Sequence, residues 1–508
     1  MKEGLRNFTD DLSQLVQENG NQEAIIIDVG IREQMITYNE LSLLIDRYLI
    51  LFEQHGAKPG DKILSLLPNS AEAIICFLAA LKGGYGYAPL SCFATDREVE
   101  KWCSLIKPKL CIKMSSVQFS SLSIFEDSSL INLQCDGNFD WLPFLLQNQT
   151  VATGNDCKLY LSTSGTTGEA KAMVLDGNTL WSSAHFFANF HKLFDKKPRF
   201  WNYLPMSYLG GLFNLAMIPL CCGGSLVITE TFNGRTLLSF WQKIDRFNID
   251  SLWLVPTIVK GLLKIADTIN ISKHIEISKN IKTCFVGTAP ISLADKKRFE
   301  KIFGLCILEN YALSETTFLT SETMENIKNR NEASVGEVLP YVTFKFMPRE
   351  DTLNTYNFMV KTPFLFQGYL TNDGEVNLEL DEEGFFATGD IGYLNDSQQV
   401  VLSGRRQDVI KKGGLFVSLK EVETLVESLP YIHEAAAVRM EHEFYGESYN
   451  LFVIPVNLNE DITRELSTWL HNNTVNYKWP EAIYVRSDFP KTNSGKIIKK
   501  LIKVDGGI

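Results

Sequence analysis

One short segment combines small residues, hydroxyls and a lysine in a way that suits an anion. It runs from Leu161 to Leu175 and reads Leu-Ser-Thr-Ser-Gly-Thr-Thr-Gly-Glu-Ala-Lys-Ala-Met-Val-Leu. Small residues let backbone N–H groups approach a phosphate, hydroxyls add donors, and Lys171 adds a positive charge. The positions of Gly165, Gly168 and Lys171 do not have the Walker A spacing. By composition alone, the segment is either a polyphosphate loop or an ordinary flexible loop.

Four further segments are short polar strings, and each alone is compatible with an ordinary loop. They are Glu-Asn-Tyr-Ala-Leu-Ser-Glu-Thr at 309–316, Gly-Phe-Phe-Ala-Thr-Gly-Asp-Ile-Gly at 384–392, Ser-Gly-Arg-Arg-Gln-Asp-Val-Ile-Lys-Lys-Gly-Gly at 403–414 and Phe-Pro-Lys-Thr-Asn-Ser-Gly-Lys-Ile at 489–497. Together with the first segment, and in this order, they resemble the motifs of the adenylate-forming (ANL) superfamily. That superfamily contains acyl-CoA synthetases, peptide-synthetase adenylation domains and luciferases. The resemblance covers roughly residues 20–500.

The resemblance implies a site for ATP and Mg²⁺. The ring of Tyr311, beside Asn310, would stack on adenine, Ser314 would reach the α-phosphate, and Glu315 would hold Mg²⁺. Ala312 departs from the family pattern, which has glycine there. The phosphates would be bound by Thr163, Ser164, Gly165, Thr166, Thr167, Gly168 and Lys171. The turn near adenine and the acyl group would be formed by Gly287, Thr288, Ala289 and Pro290.

The same resemblance assigns roles to the C-terminal motifs. Asp390 would accept hydrogen bonds from both ribose hydroxyls, and Arg405 would contact the ribose and phosphates. Lys496 would enter the site for adenylation, whereas Lys411 lies on a face that meets the site only in the second half-reaction. Gln407 stands at the hinge position, where the family usually has Asp or Lys.

The implied reaction has two steps. A substrate carboxylate attacks the α-phosphate of ATP, pyrophosphate leaves, and the resulting acyl-AMP passes its acyl group to a thiol. The thiol is either CoA or the phosphopantetheine arm of an acyl carrier protein, and the sequence does not separate the two. Because both steps use one site, the small domain is expected to rotate about the hinge. The expected divisions are an AMP-binding domain at 1–403, a hinge at 404–408 and a C-terminal lid at 409–508.

A third possibility is a nucleotide-binding scaffold that has lost catalysis. Retention of the residues that carry charge in the motifs argues against it. They are Lys171, Glu315, Asp390, Arg405 and Lys496.

The acyl pocket is expected to draw on Trp201–Leu212, Trp253–Thr257 and Gly287–Pro290, with Tyr208, Gly210 and Trp253 lining it. Tyr208 replaces a residue that is often histidine in the family, and it is either an aromatic gate or part of the core. No aspartate in this segment is placed to pair with an amino group. A non-amino carboxylic acid, aromatic or medium-chain fatty, is therefore favoured over an amino acid.

The hydrophobic pattern predicts an α/β fold. Apolar runs such as Ala24–Asp28 and Lys62–Leu67 alternate with helical periodicity at Tyr38–Glu53 and Asp96–Ile106, which is typical of doubly wound mixed α/β sheets in a large N-terminal region. After about residue 330, short strands between turns indicate a small β-rich subdomain. The last hundred or so residues predict a small, mobile α+β C-terminal domain.

Bulk composition excludes several classes of function. A net charge of −11 argues against nonspecific nucleic-acid binding. Ten cysteines without a CxxC pair favour a reducing, cytoplasmic setting, and the polar N-terminus lacks a signal-peptide pattern. Residues 202–229 carry no charge, but their prolines and glycines favour a buried helix followed by the strand Ser225–Thr229 over a membrane span.

Overall fold

The computed structural model describes residues 5–28, 33–116, 118–125, 129–139, 153–154, 156–163, 171–266, 271–289, 291–330, 334–349, 355–405, 408–412, 415–443, 445–457, 462–491 and 497–503. The chain forms two compact units. The first contains Met1–Thr288, Asp295–Leu319 and Thr362–Glu379, and the second contains Ala289–Ala294, Thr320–Lys361 and Leu380–Ile508.

Several helices begin at side-chain caps that the sequence supplies. Thr37 and Thr95 each form a capping box with the glutamate three residues later. The α-helices are α1 (Phe8–Asn19), α2 (Tyr38–Gln54), α3 (Ala71–Gly83), α4 (Asp96–Ile106), α5 (Gly177–Phe190), α6 (Leu193–Lys196), α7 (Ile218–Cys221), α8 (Gly234–Leu238), α9 (Phe240–Arg246), α10 (Pro256–Ile265), α11 (Ile271–Ser278), α12 (Leu293–Phe303), α13 (Leu419–Glu427) and α14 (Ile462–Asn473). A π-helix, Gly210–Met217, leads into α7.

The strands are mostly short and buried on both faces in the first unit. They are β1 (Glu23–Asp28), β2 (Glu33–Thr37), β3 (Lys62–Leu66), β4 (Gly86–Pro89), β5 (Leu110–Met114), β6 (Leu130–Leu133), β7 (Lys158–Thr163), β8 (Lys171–Asp176), β9 (Arg199–Asn202), β10 (Ser225–Ile228), β11 (Ser251–Leu254), β12 (Thr283–Val286), β13 (Leu308–Leu313), β14 (Thr317–Ser321), β15 (Ser334–Val338), β16 (Thr343–Pro348), β17 (Tyr356–Lys361), β18 (Gly368–Leu370), β19 (Val376–Asn377), β20 (Phe386–Leu394), β21 (Gln399–Arg405), β22 (Val409–Lys412), β23 (Leu415–Ser418), β24 (Ile432–His442), β25 (Gly446–Pro455) and β26 (Ile483–Val485).

Two sheets build the first unit. One has the order β19-β18-β8-β7-β4-β3-β5-β6, with a parallel centre and antiparallel strands from β7 to β19. The other runs β13-β12-β11-β9-β10-β1-β2 and is parallel from β13 to β1. The carboxyl ends of β11, β12 and β13 therefore lie at one edge, which is where open α/β sheets bind ligands.

An aromatic cluster fills the space beside these parallel strands. Trp253 of β11 lies 4.8 Å from Phe285 of β12, measured between ring centroids. The ring of Phe187 on α5 stacks on Phe318 of β14 at 3.9 Å, and Phe318 also stacks on Phe213 at 5.4 Å. These five side chains are buried and hold the edge of the sheet rigidly.

The second unit contains two sheets. Antiparallel strands in the order β16-β17-β20-β21-β15 form the β-rich part. The C-terminal part has the strands β23-β22-β25-β24, with β26 parallel to β25, and α13 and α14 pack their apolar faces on it. Its small core includes Val422, Val426, Leu466 and Leu470.

The mixed α/β class with a small C-terminal domain is confirmed. The uncharged stretch 202–229 forms the π-helix, α7 and β10, as the prolines and glycines predicted. Among the described residues, no helix has the length and apolar character needed to cross a bilayer. Gly304, with a φ of 65°, ends α12, and β13 begins at Leu308.

Nearly all the cysteines lie in the interior. Cys135 is partly exposed and Cys306 is exposed, and the other eight are buried. Burial raises the pKa of the Cys103 thiol to about 11, and it raises the pKa of Cys76 well above its usual value.

Candidate active site

The predicted phosphate loop connects two antiparallel strands. Thr163, the last residue of β7, pairs with Lys171, the first residue of β8. The backbone thus brings the two ends of the segment together. Its central residues 164–170, with Ser164, Gly165, Thr166, Thr167 and Gly168, lie outside the described residues, as do the side chains of Thr163 and Lys171.

The turn after β12 is tightly packed against β13. A Cβ at Gly287 would lie 2.7 Å from Oδ1 of Asn310, whose Nδ2 donates a hydrogen bond to the carbonyl of Val286 at 3.2 Å. Thr288 follows with a φ of 73°, a conformation that β-branched residues rarely adopt. Strained backbone of this kind concentrates at functional sites. Ala289 is also described, whereas Pro290 lies outside the described residues.

A buried ion pair fixes β13 immediately before the predicted adenine-binding residues. Nζ of Lys296 on α12 lies 2.9 Å from Oε2 of Glu309, and both side chains are almost completely buried. Asn310 and Tyr311 follow on the strand and are also buried. The structure therefore brings Gly287, Asn310 and Tyr311 together at one edge of the sheet.

Glu315 lies in the turn between β13 and β14 and is held at two points. The hydroxyl of Tyr369 donates a hydrogen bond to its Oε1 at 2.5 Å, and the backbone N–H of Phe366 donates to its carbonyl oxygen at 2.7 Å. Its neighbour Ser314 is exposed. The turn thus presents a hydroxyl and a fixed carboxylate.

The donor set at Glu315 fits one particular kind of metal site. Within the described parts of the chain, no three His, Cys, Asp or Glu side chains cluster as metal ligands. Mg²⁺ in nucleotide sites typically takes one or two carboxylates and completes its shell with phosphate oxygens and water. A single half-buried carboxylate therefore fits an ion that is shared with a triphosphate.

Asp390 and Arg405 form an ion pair in the second unit. They pair across β20 and β21, with Nε of Arg405 2.8 Å from Oδ1 of Asp390. The backbone N–H of Asp390 donates to Oγ1 of Thr388 at 3.0 Å, and this hydroxyl donates to the carbonyl of Phe358. Asp390 is buried while Arg405 is exposed, so the pair leaves a guanidinium surface for a ligand.

The structure describes only a part of the two predicted catalytic lysines, Lys411 and Lys496. Lys411 lies on β22 opposite Phe416, but its side chain and the whole of Lys496 lie outside the described residues. The segment that follows Lys496 is anchored by Lys499, whose Nζ lies 2.7 Å from Oε1 of Glu423 and 3.3 Å from Oδ1 of Asp408. Burial disfavours the charge of Lys499, yet the two carboxylates give it a raised pKa.

The expected pocket residues differ in exposure. Tyr208 is 36% exposed, so it is not a core residue. Gly210 begins the π-helix, a feature frequent at functional sites. Trp253 is fully buried within the aromatic cluster, so its indole is a core side chain.

Sequence reasoning did not assign roles to Tyr369 or Lys296. Tyr369 follows Gln367 and Gly368. Its contact with Glu315 is evident only once β18 is seen to pair with β8. Lys296 did carry a signal, because it occupies the same helical face as the buried Phe299 and Phe303. A lysine on an apolar face needs a buried partner.

The sequence matches known enzymes over most of its length. The model of the AMP-binding enzyme family matches residues 12–370, and that of the AMP-binding enzyme C-terminal domain matches residues 421–496. An oxalate–CoA ligase of Arabidopsis thaliana is 28% identical, covering 92% of this chain and 93% of that protein. A 4-coumarate–CoA ligase 3 of the same plant is 26% identical, covering 94% and 87%.

Solved structures share the fold. ATP-bound MatB from Rhodopseudomonas palustris has a TM-score of 0.85 at 23% identity, with 98% of each chain covered. The O-succinylbenzoate coenzyme A synthetase MenE from Bacillus subtilis, in complex with AMP, has a TM-score of 0.82 at 20% identity, again with 98% of each chain covered.

The close approach at Gly287 generates a prediction. Gly287→Ala should displace the Asn310 carboxamide, lower the free energy of unfolding by about 1–3 kcal/mol and weaken AMP binding. Urea unfolding and calorimetric titration with AMP measure the two effects.

The matched control is Gly234→Ala, at an exposed helix start where an added Cβ meets nothing within 4 Å. It should change stability by no more than about 0.5 kcal/mol. Wild-type stability and AMP affinity in Gly287→Ala would contradict the packing argument.

Proposed function

The chain belongs to the family of AMP-binding enzymes, and from this premise we propose that it activates a carboxylic acid as acyl-AMP and transfers the acyl group to CoA. The observation that carries the proposal is the convergence of two predicted phosphate-site elements. Tyr369 pairs with Met173 on β8, two residues from Lys171, and its hydroxyl reaches Glu315. The phosphate strand and the carboxylate turn are therefore physically linked.

A carboxylate resists nucleophilic attack because it is charged and resonance-stabilised, so it must first gain a leaving group. Attack on the α-phosphate of ATP releases pyrophosphate and gives an acyl carbon that carries AMP. Charge develops on the α-phosphate oxygens, so catalysis consists mainly of positioning and electrostatic stabilisation. The hydrogen-bond donors would come from Lys171, Lys496 and the loop between Thr163 and Lys171. Loss of one such donor typically raises the activation free energy by about 3 kcal/mol. No side-chain nucleophile is required.

The remaining site residues have supporting roles. When bound, Mg²⁺ would neutralise phosphate charge. Glu315 would hold the Mg²⁺ ion, and Ser314 would contact the α-phosphate. Asp390 would accept from the ribose hydroxyls while its ion pair keeps Arg405 beside them. Asn310 and Tyr311 would hold adenine. In the second step, Lys411 would face the site.

The acid is proposed to be aromatic or medium-chain fatty. The ring of Phe213, in the segment that follows Tyr208, stacks on the buried ring of Phe318, and the uncharged stretch 202–229 offers no carboxylate to an amino group. Two relatives, an oxalate–CoA ligase and a 4-coumarate–CoA ligase, take their names from acids of very different size. These relatives are CoA ligases, which favours CoA over an acyl carrier protein as acceptor.

We propose that residues 404–408 form a hinge between the AMP-binding domain and the C-terminal lid. Rotation would exchange Lys496 for the Lys411 face in the active site. A cytoplasmic location is proposed from the reduced, largely buried cysteines. One relative, 24% identical, is named a peroxisomal OPC-8:0-CoA ligase, so fractionation of the host cell is the direct check.

A panel of acids tests the function. Pyrophosphate release should occur with ATP, Mg²⁺ and an aromatic or medium-chain acid, and a thioester should form when CoA is added. Parallel reactions with a phosphopantetheinylated carrier protein identify the acceptor. Absence of pyrophosphate release with every acid would overturn the proposal, and release with amino acids alone would overturn the substrate class.

Lys496→Ala should reduce acyl-AMP formation at least about 100-fold, because one preorganised donor is lost from the developing charge. Thioester formation from supplied acyl-AMP should be largely spared. Quench-flow measurement of each half-reaction separates the two, and Lys500→Ala, an exposed lysine four residues on, is the control. Near wild-type adenylation in Lys496→Ala would show that Lys496 is a surface lysine.

The hinge proposal predicts a split between half-reactions. Gln407→Pro fixes φ near −65° and should lock one orientation of the lid, retaining pyrophosphate release while thioester transfer is lost. Gln407→Ala, which leaves φ free, should keep both steps. Equal loss of both steps in the proline variant would indicate misfolding, and full retention would exclude residue 407 as a hinge.

A further inference from the structure

We propose that Tyr369 is a positioning residue that fixes the carboxylate of Glu315 for a Mg²⁺–nucleotide complex. The inference rests on the proposed function, in which Glu315 holds the metal ion. Tyr369 itself touches neither substrate nor metal in this assignment. It acts through one hydrogen bond to Oε1 of Glu315, at 2.5 Å.

This hydrogen bond gives the two carboxylate oxygens of Glu315 different roles. Oε1 accepts from Tyr369, and none of the described residues donates a hydrogen bond to Oε2. The terminal torsion of glutamate is otherwise broad, so a free carboxylate samples many orientations. With Oε1 held, Oε2 keeps a defined direction at a half-buried position where a cation can bind it.

The tyrosine is itself held rigidly. Its strand, β18, lies between β8 and β19, and Tyr369 pairs with Met173 on one side and Asn377 on the other. Gly368 has a φ of 136°, and a Cβ there would lie 2.4 Å from the carbonyl oxygen of Asn377. Only glycine permits this approach, so the strand fixes where the Tyr369 side chain begins.

The same short segment also holds the backbone of Glu315. Phe366 donates its N–H to the Glu315 carbonyl at 2.7 Å, and its ring packs edge-on to Tyr369 with centroids 5.0 Å apart. Residues 366–369 therefore hold Glu315 at both backbone and side chain. Groups that orient a metal ligand in this way typically contribute 10–100-fold to metal affinity.

Tyr369→Phe tests the proposal, because it keeps the ring on Phe366 and removes only the hydroxyl. The readout is binding of a non-hydrolysable ATP analogue by calorimetry at increasing Mg²⁺ concentration, without acid or turnover. The Mg²⁺ concentration for half-maximal binding should rise at least about tenfold. Analogue binding without Mg²⁺ should be unchanged. Tyr484→Phe, on β26 of the second unit, removes a hydroxyl elsewhere and should shift nothing.

Glu315→Gln provides the second arm. It should raise the Mg²⁺ requirement at least as much, and the double variant should equal Glu315→Gln, because Tyr369 acts only through that carboxylate. An unchanged Mg²⁺ requirement in Tyr369→Phe, or additive effects in the double variant, overturns the inference. If wild-type protein shows no Mg²⁺-dependent nucleotide binding, the proposed function fails instead, so the two failures are distinct.

Discussion

The ion pair between Lys296 and Glu309 is the constraint on which the first unit's site depends. Two charges buried 2.9 Å apart tolerate little separation, since an unpaired buried charge costs several kcal/mol. The pair locks α12 to β13 at the residue immediately before Asn310 and Tyr311. The position of the strand then sets the Asn310 carboxamide against Gly287 and the start of the turn that carries Glu315.

From this fixed strand, the site is completed by elements that are distant in sequence. The turn at 314–316 is held by residues 366–369, and these in turn belong to the sheet that contains the β7–β8 hairpin. Each link is short and direct: an ion pair, a close glycine contact and a tyrosine hydrogen bond. These contacts fix the described parts of the proposed site, and electrostatic catalysis requires groups that are preorganised in this way.

Local sequence patterns predicted much of this architecture. Apolar periodicity predicted α2 and α4 closely, because that signal is contained within a few residues. The motif strings likewise identified Glu315 and Asp390 as candidates. The pairing of β18 with β8 could not be predicted, because two strands that lie far apart in the chain leave no local sequence signal that they pair. The support of Glu315 by Tyr369 depends on this long-range contact, so it emerged only from the three-dimensional arrangement. The support of β13 by Lys296 left one local signal, a lysine on an apolar helix face.

The burial of the cysteines has a consequence for an enzyme proposed to hand acyl groups to a thiol. Thiol–disulfide exchange proceeds through the thiolate and needs access for the attacking sulfur. Burial keeps Cys76, Cys157 and Cys284 protonated at neutral pH by raising the pKa of each, and it also shields them from approach. The protein can therefore work among CoA and its disulfides without forming mixed disulfides in its core, and exposed Cys306 is where such an adduct would form first.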